Sequence, residues 1–137
     1  MTAGNWMQEE TFEVVMDPRV VQQGVTETDI KEQLSFQRQV ITLLSEARRF
    51  EDALEKEAKS LKKKRSKSKK ERLQLVNSVL EELKNDEGAY PQQMLVAQIG
   101  YLYYMLNGAD QLPGADARAR LSELRTQLNA LKERMAN

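Results

Sequence analysis

The chain of 137 residues contains no cysteine and no histidine. Without them zinc sites, thiol nucleophiles and imidazole acid–base catalysis are excluded. It also has no excess of either charge, with 21 Lys and Arg against 21 Asp and Glu. Net neutrality removes the simplest argument for nucleic acid or an anionic membrane as the main partner. No stretch approaches the ~20 consecutive apolar residues of a membrane span. The first ten residues, MTAGNWMQEE, carry neither a basic n-region nor an apolar h-region, so no signal peptide is read there, as would also hold for a piece cut from a longer exported protein. What is present is an apolar fraction of 40% in a chain of one-domain length, enough for one modest core.

The apolar residues change period along the chain. Trp6, Phe12, Val14 and Met16 share one parity, which predicts a half-buried strand over Trp6 to Val15, stopped by Asp17-Pro18. Gly24 punctuates the loop that follows. From Thr26 the spacing becomes helical, and Thr26 with Asp29 reads as a capping box with Asp in place of Glu. Ile30, Gln33, Gln37, Val40, Leu44, Ala47, Glu51, Leu54, Ala58 and Leu61 follow at steps of three and four, with Leu34 and Ile41 widening the stripe. Two Gln and one Glu make this seam leaky. About thirty-five residues at 1.5 Å each span roughly 50 Å.

Residues 59–72, KSLKKKRSKSKKER, hold nine Lys or Arg. Ser68 and Glu71 read as a capping box that starts a second helix, with Leu73, Val76, Val79, Leu80 and Leu83 on its inner side. Asn85 to Gly88 ends it. Pro91 suits the first position of a third helix, apolar nearly all round and so expected to be the most buried. A turn-rich loop, NGADQLPG (107–114), leads to a last helix with Ala117, Leu121, Leu124, Leu128, Leu131 and Met135 on one stripe. The expected fold is all-α: an antiparallel three- to four-helix bundle with one long N-terminal helix, preceded by a short strand-like or extended leader. The leader covers 1–25 and the bundle 26–137, with helices at about 27–64, 69–85, 91–107 and 116–135. Helices two and three together match the length of helix one.

Candidate sites are of the interaction kind. Lys62, Lys63, Lys64, Arg65, Lys67, Lys69 and Lys70 form a basic hairpin tip that could meet phosphate or anionic lipid, or could simply be a solvated helix end. In YLYYM, Tyr101 and Tyr104 share a face while Tyr103 points away and is expected to be the exposed one. Gly100 in mid-helix reads as a close approach or as tolerance. Trp6 and Phe12 are either anchors into another β-domain or covers for the end of the bundle. Asp110 and Asp116 are too sparse for a Ca²⁺ loop. No catalytic, cofactor-binding or metal residue is assigned, and no cofactor is expected.

The run G-N-W-x-Q-x-x-x-F-x-V-x-x-D-P-R, Gly4 to Arg19, resembles the tail of a β-sandwich in large exported bacterial proteins of the BNR-repeat, sortilin-like β-propeller type, often described as glycosyl hydrolases. Residues 90–128 are similar to the end of such chains, where Y-P, a Y-L-Y run, A-D, P-G and a Leu-rich helix come in this order. The middle of the chain carries no such likeness. The resemblance implies an exported parent whose propeller would hold any active site, with this chain as its non-catalytic C-terminal interaction or spacer module. The implied partners are preceding β-domains of the same chain, with a homo-oligomer open; nucleic acid and membrane rank below these. The alternative is a helical module whose basic tip at 59–72 binds an anionic surface.

Overall fold

The computed structural model describes residues 2–3, 6–62, 66–85 and 91–136, with residues 2, 3, 6 and 7 described by their backbone alone. The bundle is built by four helices: α2 (Glu27–Lys62), α3 (Lys67–Leu83), α4 (Leu95–Leu106) and α5 (Ala115–Ala136). A single-turn helix, α1 (Pro18–Gln22), precedes them, and two short strands, β1 (Thr2–Ala3) and β2 (Trp6–Met7), lie at the front.

The leader departs from the strand expected over Trp6 to Val15. Only Trp6–Met7 is paired, and it pairs antiparallel with Thr2–Ala3 a few residues upstream. A partner strand therefore exists within the chain, although two residue pairs are far too few to be stable alone. Residues 8–17 adopt no regular element; Glu9, Glu10 and Glu13 are poor strand formers. Asp17-Pro18 does not merely end a strand. The Asp17 carboxylate accepts from the Arg19 backbone N–H at 2.8 Å, and Pro18 occupies the first turn of α1. Gly24, at φ +82°, closes α1 in a Schellman turn: Val25 N–H donates to Val20 C=O and Gly24 N–H to Val21 C=O.

The predicted cap of α2 is formed. Asp29 N–H donates to Thr26 Oγ1 at 3.2 Å, and Thr26 N–H donates back to the Asp29 carboxylate at 2.8 Å. α2 is 36 residues long, about 54 Å at 1.5 Å per residue. Its buried positions are Gln33, Phe36, Val40, Leu43, Ala47, Leu54 and Ala58. The stripe thus widens toward Phe36 and Leu43, not toward Leu34 and Ile41, both of which are exposed. The cause is α5, which lies on the Phe36 side: Arg118 sits 5.6 Å over the Phe36 ring and pairs with Glu32, and Lys132 pairs with Glu46. These two ion pairs share one sequence offset, so α5 runs parallel to α2.

α3 starts at Lys67, with Ser66 extended at the cap position and no side-chain cap. The Ser68–Glu71 box is absent because Ser68 already lies inside the first turn. Val76, Val79 and Leu83 are buried, and Leu73 and Leu80 pack at the margin of the core. Arg72 near the start of α3 and Lys84 just past its end reach Glu57 and Glu55 on α2, both at 2.7 Å. α4 starts at Leu95, not at Pro91. Asn85 Oδ1 accepts from Met94 N–H at 2.7 Å, so a side chain from the end of α3 caps α4 at Met94 and sets its first turn. α3 covers the C-terminal half of α2 and α4 the N-terminal half, as their summed lengths predict. α5 closes the bundle with Leu121, Leu124, Leu128, Leu131 and Met135 buried, which matches its stripe position for position. Leu124 and Leu128 are fully buried, each stabilising the fold by about 1.5–3 kcal/mol through area removed from water.

α4 has the largest buried share of the described helices, as its nearly all-round apolar sequence predicts, with three exposed residues among its twelve. It hides Leu95, Ile99, Leu102 and Leu106 and leaves Tyr101, Tyr104 and Met105 in solvent. Gly100 has nothing within 4 Å of where a Cβ would stand, so no neighbouring helix demands it.

Candidate interaction surfaces

Three surfaces stand out, two at the N-terminal end of α2 and one at its far end. The first is the leader. Phe12 and Val14 are each 85% exposed, and Val15 is nearly as open. Burial of the Trp6 side chain lies outside the described features. Met16 lies with Val20, Ile30 and Asp110 in a shallow pocket, which fixes where the leader leaves the bundle: beside the loop 107–114.

The second surface is a groove between α4 and α5 on that same loop. Tyr101, Leu102, Met105, Leu106, Pro113 and Ala117 supply its apolar lining, and Gln33, Gln98, Gln111, Asp116 and Arg120 its polar one. Its volume is about 380 Å³, within the size of ligand-binding clefts. Tyr103 is the tyrosine turned inward, packing half-buried against the core. Tyr101 is 62% and Tyr104 72% exposed, the reverse of the expectation that Tyr103 would face water. The buried row Leu95, Ile99, Leu102 and Leu106 decides this, because at 100° per residue Tyr103 falls at its edge and Tyr104 opposite it. Arg120 is held at the groove by Gln98 Oε1 at 2.7 Å and Glu123 at 2.9 Å.

Gln33 gives this end its shape. It is only 5% exposed, yet every polar atom of its amide is used. Nε2 donates to the carbonyls of Leu106 and Ala109, both at 2.7 Å, and Oε1 accepts from Gln111 N–H at 3.2 Å. Gln37 adds bonds to Leu106 C=O and Asn107 Oδ1. The last carbonyl of α4, without a partner inside its own helix, is thus capped from another helix. The glutamines that read as leaks in a seam are clamps on the loop that lines the groove.

The third surface is the basic tip. Lys63, Lys64 and Arg65 lie outside the described residues. Lys62, Lys67 and Lys70 are exposed and Lys69 half-buried, and none of the four makes an ion pair with another described residue. Lys59 pairs loosely with Glu55 at 3.8 Å. Arg72 is withdrawn from the tip: it bonds Glu57 and the Met135 carbonyl at 2.9 Å, tying α5 to the hairpin. α3 has no acidic residue in its first turn, so cations stand at the positive end of its dipole, an unfavourable placement. Those at the C-terminus of α2, Lys59 and Lys62, are favourably placed.

Among the carboxylates, Glu51 and Glu55 lie one turn apart and titrate in opposite directions. Partial burial pushes the Glu51 carboxyl up, while the hydrogen bond from Lys84 holds Glu55 below the usual range. Asp110 and Asp116 are both exposed. Among the described residues, no group of three or more Asp or Glu is placed to hold a metal ion. Nor is any helix of the described residues long and apolar enough to cross a membrane. Comparison with protein-family models, with curated proteins and with solved structures finds no match for this chain.

Proposed function

We propose that this chain is a non-catalytic helical interaction and spacer module. The observation that carries the reading is the leader: Phe12, Val14 and Val15 stand in water, and Phe12 and Val14 are more open than any exposed apolar side chain of the bundle, such as Leu34, Ile41 or Met105. Leaving such residues open forfeits about 1.5–3 kcal/mol per large side chain relative to covering them. A segment of this kind is accounted for by a partner that covers it. The long α2 supplies the spacing, since it sets the leader and the basic tip about 50 Å apart. The resemblance of residues 4–19 and 90–128 to exported propeller proteins supports a larger exported parent, whose preceding β-domains would be natural company for an extended, strand-competent leader.

Replacing Phe12 and Val14 together by Asp tests this. The thermal midpoint should stay within a degree or two, because neither side chain packs on the bundle, while partner binding through the leader should be lost. A large fall in the midpoint would make the leader part of the fold instead. A second reading is supported by Lys62, Lys67 and Lys70, which make no ion pair with another described residue, and by the start of α3, which has no side-chain cap: the tip binds an anionic surface. Titration with duplex DNA or phosphatidylglycerol vesicles would then show affinity falling steeply with salt, and Lys62→Ala, Lys67→Ala and Lys70→Ala together would abolish it.

A further inference from the structure

The neutral total conceals a separation of charge. Residues 59–72 hold nine Lys or Arg and one acidic residue, leaving 12 of the 21 Lys and Arg against 20 of the 21 Asp and Glu for the rest of the chain. The fold keeps this local excess from being cancelled. The carboxylates just behind the tip are occupied, Glu57 by Arg72 and Glu55 by Lys84 and Lys59. The acidic leader, with Glu9, Glu10 and Glu13, leaves the bundle beside Ile30 and Asp110, at the opposite end of α2 and about 50 Å away. Exposed charges are screened beyond about 8 Å at physiological ionic strength, so carboxylates at that end do not offset the field at the tip. Lys62, Lys67, Lys69 and Lys70 make no ion pair with another described residue. Glu71, exposed beside them, opposes them in part.

We propose that the tip adsorbs end-on to an anionic lipid bilayer and holds the rod upright, with the leader about 50 Å from the surface. This deepens the second reading and rests on it: the anionic surface is a membrane. Three features favour a bilayer over nucleic acid. The four lysines lie at the end of two adjacent helices, α2 and α3, within about one turn or 5 Å of depth, so a flat charged surface meets them together. All four are lysines, compact hydrated charges suited to a diffuse field, where the planar fork of arginine would grip a single phosphate in two places. Residues 59–72 contain no Asn, Gln or aromatic residue to read a base or stack on one. Residues 62–70 are also without an apolar side chain, so the contact is adsorption without insertion. The same surface repels the acidic excess of the remaining chain, which favours the upright pose.

Vesicles of mixed phosphatidylglycerol and phosphatidylcholine should bind the full chain at low salt and release it at high salt, and vesicles of phosphatidylcholine alone should not bind it. Lys62→Ala, Lys67→Ala and Lys70→Ala together should lower the partition coefficient by about 100-fold, while Phe12→Asp with Val14→Asp should leave it unchanged. The absence of native cysteine allows the pose to be read directly. Ser66→Cys and Val14→Cys each take one fluorescent donor at an exposed position. Energy transfer to acceptor-labelled lipid should be strong from position 66 and near zero from position 14. Equal transfer from both positions, or vesicle binding that survives the triple variant or high salt, would overturn the proposal. Tighter binding to duplex DNA than to the mixed vesicles at equal phosphate would overturn it too, yet leave the anionic-surface reading standing. Binding to neither would remove both and leave the reading of the leader untouched.

Discussion

Replacing Gln33 by Leu separates two accounts of the long helix. If Gln33 were a defect in an apolar seam, Leu would fill the position and stabilise the bundle. In the structure the substitution strands the Ala109 carbonyl and the Gln111 N–H, and leaves the Leu106 carbonyl to Gln37 alone at 3.2 Å. A buried backbone group left without its partner costs about 1–3 kcal/mol. Two such groups, partly rescued by water at this loop, give a loss of about 2–4 kcal/mol, offset by less than about 1 kcal/mol from the added apolar surface. For a domain of this size that lowers the thermal midpoint by about 10 °C. Urea and thermal unfolding followed by circular dichroism at 222 nm measure it. Gln33→Ala should cost a similar amount, and Gln37→Ala clearly less, since Gln37 is only partly buried and its main acceptor keeps Gln33. A Gln33→Leu protein as stable as the parent, or more so, would refute the clamp.

Other expectations follow from the same structure. Gly100→Ala should stabilise by about 0.5–1 kcal/mol, read as a raised urea midpoint, because the added methyl meets nothing and the helix gains propensity. Asp29→Asn should be less stable than the parent at pH 7. The hydrogen bonds from Thr26 hold the Asp29 pKa low, so this stability is present above the unfolded-state pKa near 4 and is lost as pH falls through the lower folded value. The difference between the two proteins should therefore vanish in acid. Glu51→Gln should behave oppositely. Burial raises the Glu51 pKa, so its favourable contribution is complete below the unfolded-state value and is lost as pH rises through the folded one. The variant should exceed the parent in thermal midpoint at pH 7 and match it at pH 3.

Features held by near neighbours in the chain were legible in advance. The stripe of α5, the inner face of α3 and the Thr26–Asp29 cap all depend on contacts within about four residues, which periodicity and capping patterns encode. Legibility failed where a distant element intervened. The sequence pattern widened the stripe toward Leu34 and Ile41, whereas the structure buries Phe36 and Leu43 on its other side, where α5 lies. α4 begins at Leu95 because Asn85 reaches its cap residue, Met94, across the connection. Gln33 and Gln37 could not be recognised as clamps, because their acceptors lie about seventy residues away. The groove was missed altogether. The exposed Tyr101 and Met105, read with the NGADQLPG loop, were the available signal.

By itself the sequence determined an all-α chain dominated by one long rod, because the period of apolar residues selects a helix locally and the neutral, cysteine- and histidine-free composition withholds the commonest chemistries. Only the tertiary structure decided which glutamine is buried, which tyrosines meet water, and that leader and groove share one end. Those outcomes depend on which helix lies against which face, and burial is a property of the pair, not of either helix alone.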